Sequence, residues 1–275
     1  MEARTTRHDE LMQQNFIFLS DGDDPYIRDL AAGAGGTVTS VNQFGYDSST
    51  QPIVLRSILK YKIMNRCRAD SRDFYYVDTG YFGNNISATN PRGLKRYHRI
   101  VKNGLQHNNS SGNWDNQRIK HLNLQFPTER KSGNEILIVA PGGKACKYYK
   151  TTPDSWIAST VEQLQAHTNR PINIRQKTKQ RNERLNLPIE DEIKKSYAVV
   201  THNSIAAVES IMLGKPVFIT TTDNAALPVA NTNLADIEKP FYPSPSVIYN
   251  WVCRLSYGQF GIAEMRNGTV WKYII

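Results

Sequence analysis

The stretch THNSIAAVESIMLGKP, residues 201–216, decides the fold class of this chain. The apolar run that leads into it, Ala198–Thr201, predicts a strand, and Ile205–Leu213 predicts a helix after a tight turn. Gly214 is typical of a helix end, and the next apolar run, Val217–Thr220, predicts a second strand. Strand, turn, helix and strand in this order predict an α/β fold in which helices cover a parallel sheet.

The same alternation extends outward from this stretch through most of the chain. Further strands are predicted at Asn15–Ser20, Thr37–Val41, Phe74–Val77, Ile136–Ala140 and Ile172–Ile174. Further helices are predicted to begin at Pro25 and to cover Pro52–Asp70, Asp154–Thr168, Ile189–Lys195 and Ser246–Tyr257. A polar segment with little apolar periodicity, Asn84–Asn123, interrupts the alternation, and connections of that length are usually functional.

The length and the break in the alternation predict two domains. A chain of 275 residues with 39% hydrophobic residues has room for two packed cores. We expect an N-terminal α/β domain over residues 1–130 and a C-terminal α/β domain over residues 131–275, with the C-terminal helix crossing back to the first domain.

Charge and cysteine usage narrow the class of protein. The 34 Lys and Arg residues exceed the 25 Asp and Glu residues and give a net charge of +9. That balance favours an anionic partner such as nucleic acid, a membrane surface or a phosphorylated substrate, or it reflects only a solvated basic face. The three cysteines, Cys67, Cys146 and Cys253, show neither a disulfide framework nor zinc-ligand spacing.

No targeting or membrane segment is evident in the sequence. Residues 1–14 are polar and unlike a signal peptide, and no apolar run approaches the roughly 20 residues of a membrane span. We therefore expect a cytoplasmic protein.

A carboxylate beside a buried helix face is the sharpest chemical signal. At about 100° per residue, Ile205, Val208 and Met212 form the apolar face of the predicted helix, and Glu209 lies beside Ile205. A carboxylate at that border is costly unless it is hydrogen-bonded, and the two hydroxyls of a ribose would serve. The alternative is that Glu209 reaches solvent or pairs with a nearby Lys. The turn 202–204 suits a diphosphate, because amides at a helix start favour anions.

Two further features of the second half suit a phosphorylated ligand. Gly142 and Gly143 follow a predicted strand, where a glycine turn lets backbone approach a ligand, and Lys144 comes next. This is not a Walker A loop, because the spacing and the Lys-Ser/Thr pair are missing. Arg175 and Lys177 follow another predicted strand of the same sheet and could neutralise a diphosphate leaving group. The alternative for each cation is a solvated surface charge.

The turn, the helix that carries Glu209 and the Gly-Lys-Pro after it resemble the donor-binding element of GT-B glycosyltransferases. Capsule-polysaccharide transferases and nucleotide-sugar epimerases carry similar elements, and the resemblance covers mainly Ile136–Tyr257. It implies the GT-B fold, two Rossmann-like domains whose parallel sheets face a central cleft. It also implies transfer of a sugar from a nucleotide-sugar, with a UDP-sugar as the expected donor and no further cofactor. In that family the Glu holds the ribose and the turn lies against the phosphates, which implies ribose binding for Glu209 and phosphate or sugar binding for His202, Asn203 and Ser204.

Carboxylates after strands of the first half are candidate general bases. Asp78 follows the run Phe74–Val77, at the sheet edge where ligands of parallel α/β sheets bind, and it could deprotonate an acceptor hydroxyl. The alternative is a turn or helix-capping Asp. Asp21 and Asp23 end the first strand and are the second choice. They also spell the DxD of metal-using GT-A enzymes, but the second α/β unit argues for GT-B, so no metal site is predicted.

The polar segment after Asp78 is basic. Asn84–His121 carries many Lys and Arg residues and a single acid, with aromatic residues interleaved, which suits phosphates and bases. The arrangement is similar to that of phage-type transferases that glycosylate hydroxymethylated pyrimidines, which implies double-stranded DNA as the acceptor, inside a host cell. The candidate DNA contacts are Arg92, Lys95, Arg96, His98, Arg99 and Lys102.

Two other functions remain open from the sequence. The predicted helix Pro52–Asp70 carries several cations and could face a membrane surface, as in transferases that build capsular polysaccharide. The second open function is that of a DNA-binding module that has the fold but no enzymatic activity. Binding of a uridine nucleotide would separate that module from both enzymes, and retention on DNA or on lipid would separate the two enzymes.

Overall fold

The computed structural model describes residues 15–84, 96–109, 112, 114–126, 130, 132–176 and 189–274. The chain divides into two compact units, Met1–Leu105 with Ser256–Ile275, and Gln106–Leu255. The second unit therefore begins earlier in the chain than the boundary expected at residue 130. It also ends earlier, because the last strand of the chain joins the sheet of the first unit.

The elements below are those of the described residues. The strands are β1 (Ile17–Ser20), β2 (Val38–Ser40), β3 (Ile53–Arg56), β4 (Phe74–Thr79), β5 (Tyr97–Lys102), β6 (Glu135–Val139), β7 (Ile172–Arg175), β8 (Ser196–Thr201), β9 (Val217–Ile219) and β10 (Gln259–Gly261). The α-helices are α1 (Pro25–Gly33), α2 (Tyr61–Ala69), α3 (Gln117–Leu122), α4 (Gly143–Tyr149), α5 (Pro153–Gln165), α6 (Ile189–Lys195), α7 (Ala206–Met212), α8 (Pro245–Ser256) and α9 (Ile262–Arg266). Short 3-10 helices lie at Ile58–Lys60, Leu227–Val229, Leu234–Asp236 and Thr269–Lys272.

The first unit is built on a six-stranded sheet in the order β10-β5-β4-β3-β1-β2. Strands β1 to β4 are parallel, and β5 runs antiparallel to both β4 and β10. One core cluster packs against this sheet, with Phe18, Ile27, Leu30, Val54 and Trp271 at 2% exposure or less. Helix α1 is capped by the Asp24 carboxylate, which accepts from the amides of its first turn, so its start is fixed by the sequence.

One predicted helix is wrong in its first part. Pro52–Asp70 was expected to be helical throughout, but Ile53–Arg56 is strand β3, and the α-helix begins only at Tyr61. Strand β3 lies between β1 and β4, and Ile53, Val54 and Leu55 are fully buried. A strand covered on both faces reads as a continuous apolar run, and periodicity alone does not separate such a run from a helical stripe.

The segment expected to be an irregular connection, Asn84–Asn123, also contains regular structure. Residues Tyr97–Lys102 form β5, which is buried except for its last residue, and Gln117–Leu122 forms α3. The polar residues of β5 concealed the strand, because an interior strand can bury an Arg that finds acceptors there, as Arg99 does, and a His whose ring packs against an aromatic neighbour, as His98 does against Tyr26. The other predicted strands and helices are confirmed within about two to four residues at their ends.

The second unit is built on a four-stranded, fully parallel sheet in the order β7-β6-β8-β9. Its core includes Ile136, Ile138, Ala198, Val200 and Phe218, all fully buried. The Gly-Lys-Pro segment after α7 packs into this unit, because Lys215 is fully buried and its Nζ donates to the carbonyls of Ser132 and Ser196.

Both sheets share one winding order. In the first unit β1 lies between β2 and β3, with β4 next, and in the second unit β6 lies between β7 and β8, with β9 next. This is the doubly wound arrangement, in which ligands bind beyond the carboxyl ends of the strands where the strand order reverses. The reversal lies between β1 and β3 in one sheet and between β6 and β8 in the other. The predicted α/β class with parallel-rich, Rossmann-like sheets is confirmed.

Candidate functional site

The carboxyl edge of the second sheet brings together two segments that the sequence assigned to the donor. The last residues of β6 and β8, Val139 and Thr201, are register partners, and the Thr201 hydroxyl donates to the Val139 carbonyl at 2.7 Å. The glycines Gly142 and Gly143 follow β6 after two residues, and the turn 202–204 follows β8 at once. Both segments therefore lie where the strand order of this sheet reverses.

The glycine segment leads into a helix that was not predicted. Gly142 precedes α4 with an extended backbone, and Gly143 is the first residue of that helix. A Cβ atom built on Gly143 would meet nothing within 4 Å, so the space beside it is open. Lys144 is exposed. Gly143 therefore offers open space at this edge, although nothing in its own conformation demands glycine.

His202 is held in a polar and aromatic cluster. Its Nδ1 lies 2.7 Å from the Thr220 hydroxyl, and that hydroxyl accepts from the indole N–H of Trp156 at 2.9 Å. The ring of Tyr149 stands perpendicular to the imidazole with 4.4 Å between the centroids. Among the described residues, Nε2 of His202 has no hydrogen-bond partner, and His202 is only 9% exposed.

Burial sets the charge of this cluster. Burial lowers the pKa of His202, and the nearby Asp223 offsets only part of this decrease, so the imidazole is neutral at pH 7. Burial also raises the pKa of Tyr149, with Asp223 adding to the effect. The Tyr149 hydroxyl donates to Asp223 at 3.3 Å. Asp223 comes shortly after β9, so the connections after β6, β8 and β9 all contribute side chains to this cluster.

Glu209 lies on α7 and is half-buried, as the sequence led us to expect. The apolar face of that helix differs from the predicted one: Ala206, Ala207, Val208 and Ile211 are buried, whereas Ile205 and Met212 are only half-buried. Because α7 packs against β8, β9 and α6 at once, a wider part of its surface is covered than one stripe. Asn203 and Ser204 are half-buried, and the Ser204 hydroxyl accepts from the Ala206 amide at 3.2 Å.

Of the two predicted phosphate cations, Arg175 is described by the structure. It ends β7 and makes an ion pair with Glu192 of α6, so its charge is already balanced within the unit. Lys177 lies outside the described residues.

The carboxyl edge of the first sheet carries alternating charges. Asp21 binds Lys60 Nζ at 2.5 Å, and Lys60 also donates to the Arg56 carbonyl at 2.7 Å. Arg56 pairs with Asp24 at 3.0 Å. Asp23 pairs with Arg28 on α1 and is largely exposed. Asp21 therefore lies at the reversal between β1 and β3, with a buried Lys side chain as its partner.

Asp78 lies within β4 rather than after it, and it is heavily bonded. Its carboxylate accepts from Arg99 at 3.0 Å, from the Tyr76 hydroxyl at 2.9 Å and from the Thr79 amide at 2.8 Å. Burial by itself would raise the pKa of Asp78, but Arg99 and these two donors outweigh it and hold the pKa below its usual range. The carboxylate is thus firmly ionised and a weak base.

Two of the predicted DNA contacts are wrong. His98 is fully buried, and its ring lies against Tyr26 with 3.7 Å between the centroids. Arg99 is 4% exposed and donates to the carbonyls of Leu105 and Thr79 as well as to Asp78. Both residues lie on β5, an interior strand between β4 and β10, so neither can reach a phosphate backbone.

The other four predicted DNA contacts do not form one described surface. Arg96 is exposed, with its guanidinium 5.0 Å from the centre of the Tyr97 ring. Lys102 pairs with Asp73 at 2.9 Å. Arg92 and Lys95 lie outside the described residues.

Several residues of both edges were missed from the sequence. In the second unit they are Tyr149, Trp156, Thr220 and Asp223, which come from two helices and the loop after β9. In the first unit they are Asp24, Arg56 and Lys60. Recognising Ile53–Arg56 as a strand would have placed Arg56 at a strand end and Lys60 shortly after it, which is the signal that identified Asp78.

Neither of the described cavities coincides with these edges. One of about 340 Å³ involves Tyr46, Arg66 and Arg72 and lies at the opposite, amino-terminal edge of the first sheet. Another of about 430 Å³ involves His167 and Arg170. Within the described ranges, no group of three or more His, Cys, Asp or Glu residues is arranged to hold a metal ion. No helix in that part of the chain is long and apolar enough to cross a membrane.

Comparison with known proteins finds a distant structural likeness. No family model matches the chain, and no curated protein matches it. Among solved structures the chain is similar to "Thermosulfurimonas dismutans KpsC, beta Kdo 2,4 transferase". The two are 12% identical, the match covers 88% of this chain and 98% of that chain, and the TM-score is 0.46. A likeness of this degree carries no information about the chemistry of this chain.

Proposed function

We propose that this protein is a glycosyltransferase that binds a nucleotide-sugar, with UDP as the expected nucleotide, at the carboxyl edge of its second sheet. One observation carries the proposal. The two segments that the sequence assigned to the donor, Gly142–Gly143 and the turn 202–204, follow adjacent strands at the point where the strand order of a parallel sheet reverses. Doubly wound sheets bind nucleotides at that position.

The residues of this edge suit the parts of such a donor. The half-buried Glu209 carries two acceptor oxygens, which fit the two hydroxyls of a ribose. The Ser204 hydroxyl and the ring of His202 can donate to phosphate oxygens, and the open space at Gly143 allows backbone to approach them. The pairing of Arg175 with Glu192 makes Arg175 a weaker candidate than the sequence suggested.

The transfer itself is a displacement at the anomeric carbon. The acceptor oxygen forms a bond to that carbon, the bond from the carbon to the donor phosphate breaks, and the nucleotide leaves with the electron pair. A carboxylate takes the proton of the acceptor hydroxyl. Asp21, Asp23 and Asp78 in the first unit remain the proposed candidates. Geometry favours Asp21, which lies at the reversal of its sheet, over Asp78, whose oxygens are occupied by three donors.

The acceptor is proposed only as a hydroxyl compound. Double-stranded DNA is the more specific hypothesis for the acceptor. His98 and Arg99 are no longer candidate DNA contacts, because both are buried. Hydroxymethylated DNA and oligosaccharide acceptors are therefore separate arms of one assay. The protein is incubated with a panel of nucleotide-sugars and each acceptor, and the mass of the acceptor is measured.

The expected result is a gain of one sugar mass on one acceptor class, with release of the matching nucleotide. Asp21→Asn should lower turnover about 100-fold or more, the scale of a lost general base. Asp70→Asn is the matched control, because Asp70 is exposed, pairs with Arg66 and is not a candidate base. A protein that binds no nucleotide and modifies neither acceptor would contradict the proposal.

A further inference from the structure

We propose that Trp156 and Thr220 hold His202 as a hydrogen-bond donor through Nε2–H, and that an oxygen of the bound nucleotide accepts this bond. Trp156 and Thr220 are then positioning residues, since neither touches the ligand. The second half of the inference rests on the proposed function, and the first half stands without it.

The three residues come from different elements of the second unit. Trp156 is on α5, His202 follows β8, and Thr220 follows β9. The Thr220 hydroxyl oxygen lies 2.9 Å from the Trp156 indole nitrogen and 2.7 Å from His202 Nδ1. The carbonyl of His202 accepts from the Asn224 side-chain amide at 2.9 Å, so the backbone on the same residue is also fixed.

The donor and acceptor capacities of these groups decide where the protons lie. An indole nitrogen can only donate, so the Thr220 oxygen accepts from Trp156. The Thr220 hydroxyl has one proton, and His202 Nδ1 is the acceptor within reach of it among the described residues. If the hydroxyl donates to Nδ1, the proton of the neutral imidazole must be on Nε2.

The opposite assignment leaves more groups unsatisfied. If Nδ1–H donated to Thr220, the hydroxyl proton would lack an acceptor and Nε2 would lack a donor. The proposed assignment leaves only Nε2–H without a partner. Nε2 lacks a partner in both arrangements, but only the opposite one also leaves the hydroxyl proton of the half-buried Thr220 without a protein acceptor among the described residues, so the proposed arrangement is favoured.

The remaining Nε2–H points to a ligand of definite chemistry. The nitrogen is shielded from water and has no partner in the described part of the chain, so an oxygen acceptor would remove an existing cost. His202 lies at the edge where the nucleotide is proposed to bind. Tyr149 is the nearer of two rings packed against the imidazole, so a small movement of its side chain is expected when a ligand oxygen approaches.

The first test reads the protons directly. In ¹⁵N-labelled protein without ligand, nitrogen–proton correlation spectra distinguish the two imidazole forms, and a His202→Gln sample identifies the signals of this residue among the six histidines. We expect Nε2–H, with an Nδ1 resonance shifted by its hydrogen bond. Thr220→Val should remove that shift, whereas Thr220→Ser, which keeps the hydroxyl, should retain it. A proton on Nδ1, or the same Nδ1 resonance in wild type and Thr220→Val, would overturn the inference.

The second test concerns the ligand and uses UDP in calorimetry. Thr220→Val should weaken UDP binding about three- to tenfold, the scale of one hydrogen bond, and Thr220→Ser should bind as wild type does. UDP should also move the Nε2 resonance of His202. If UDP binds equally well to Thr220→Val and leaves Nε2 unmoved, the contact with the ligand is wrong. If wild type binds no UDP, the proposed function fails, and the imidazole spectra still decide the positioning role.

Discussion

Replacing Arg99 by Ala should destabilise the first unit by about 3 kcal/mol. Arg99 is buried, and its guanidinium supports the Asp78 carboxylate and two backbone carbonyls, those of Thr79 and Leu105. Removing one partner of a buried ion pair costs about 3–5 kcal/mol, because the other charge is left uncompensated. The Asp78 side chain is 38% exposed, so water screens part of that cost and the lower end of the range applies.

The assay is urea denaturation followed by circular dichroism, with hydrogen exchange of peptides covering β4 and β5 to isolate the first unit. A loss of about 3 kcal/mol should lower the urea midpoint by about 1–3 M for m-values of about 1–3 kcal/mol/M. Arg96→Ala is the matched control, because Arg96 is exposed and should change stability by no more than about 0.5 kcal/mol. If Arg99→Ala is as stable as Arg96→Ala, the structural role of Arg99 is refuted.

Three further predictions concern buried polar groups and one close backbone approach. Burial lowers the pKa of His98 to about 3. The free energy of unfolding should therefore decrease as the pH falls from about 6.5 towards 3, by up to about 1.4 kcal/mol per pH unit, because only the unfolded chain takes up the proton in that range. His98→Phe should remove that slope in urea titrations at several pH values, and an unchanged slope would refute the assignment. Lys215→Met should cost about 1–3 kcal/mol by the same assay, because the buried Ser196 carbonyl and the partly buried Ser132 carbonyl lose their donor; full stability would mean that the Ser196 carbonyl finds another. Gly33→Ala should lower the melting temperature by several degrees, because the new Cβ would lie 2.0 Å from the Met265 carbonyl; an unchanged melting temperature would show that this contact can open.

The parallel architecture of the second unit was predictable because its strand, helix and turn patterns all indicate the same alternating order. Strand runs, helix stripes and the turn at 202–204 repeat in a regular order, and each strand is apolar enough to be recognised without its neighbours. The first unit was harder. Ile53–Leu55 read as part of a helical stripe because both faces of β3 are covered, and β5 read as a polar surface segment because its His and Arg side chains are buried against partners distant in sequence.

The candidate site was predictable only where function depends on contiguous residues. Gly142, Gly143 and the turn 202–204 could be located because they follow strands directly. The contacts of His202 could not, since Trp156, Thr220 and Tyr149 meet it only after α4, α5 and β9 are packed. The weakness of Asp78 as a base could not be predicted either, because its pKa depends on Arg99, its register partner on the neighbouring strand β5.

Calorimetric titration with UDP tests the central claim most directly, that the carboxyl edge of the second sheet binds a nucleotide. Wild type should bind UDP, and Glu209→Ala should weaken that binding by about 1–3 kcal/mol, or about 5- to 150-fold, through loss of a charge-assisted hydrogen bond to the ribose. Glu190→Ala is the control, because Glu190 lies on α6 in the same unit and pairs with Lys194. Unchanged binding by Glu190→Ala together with weakened binding by Glu209→Ala is the predicted result. No UDP binding by wild type, or equal binding by wild type and Glu209→Ala, would contradict the account.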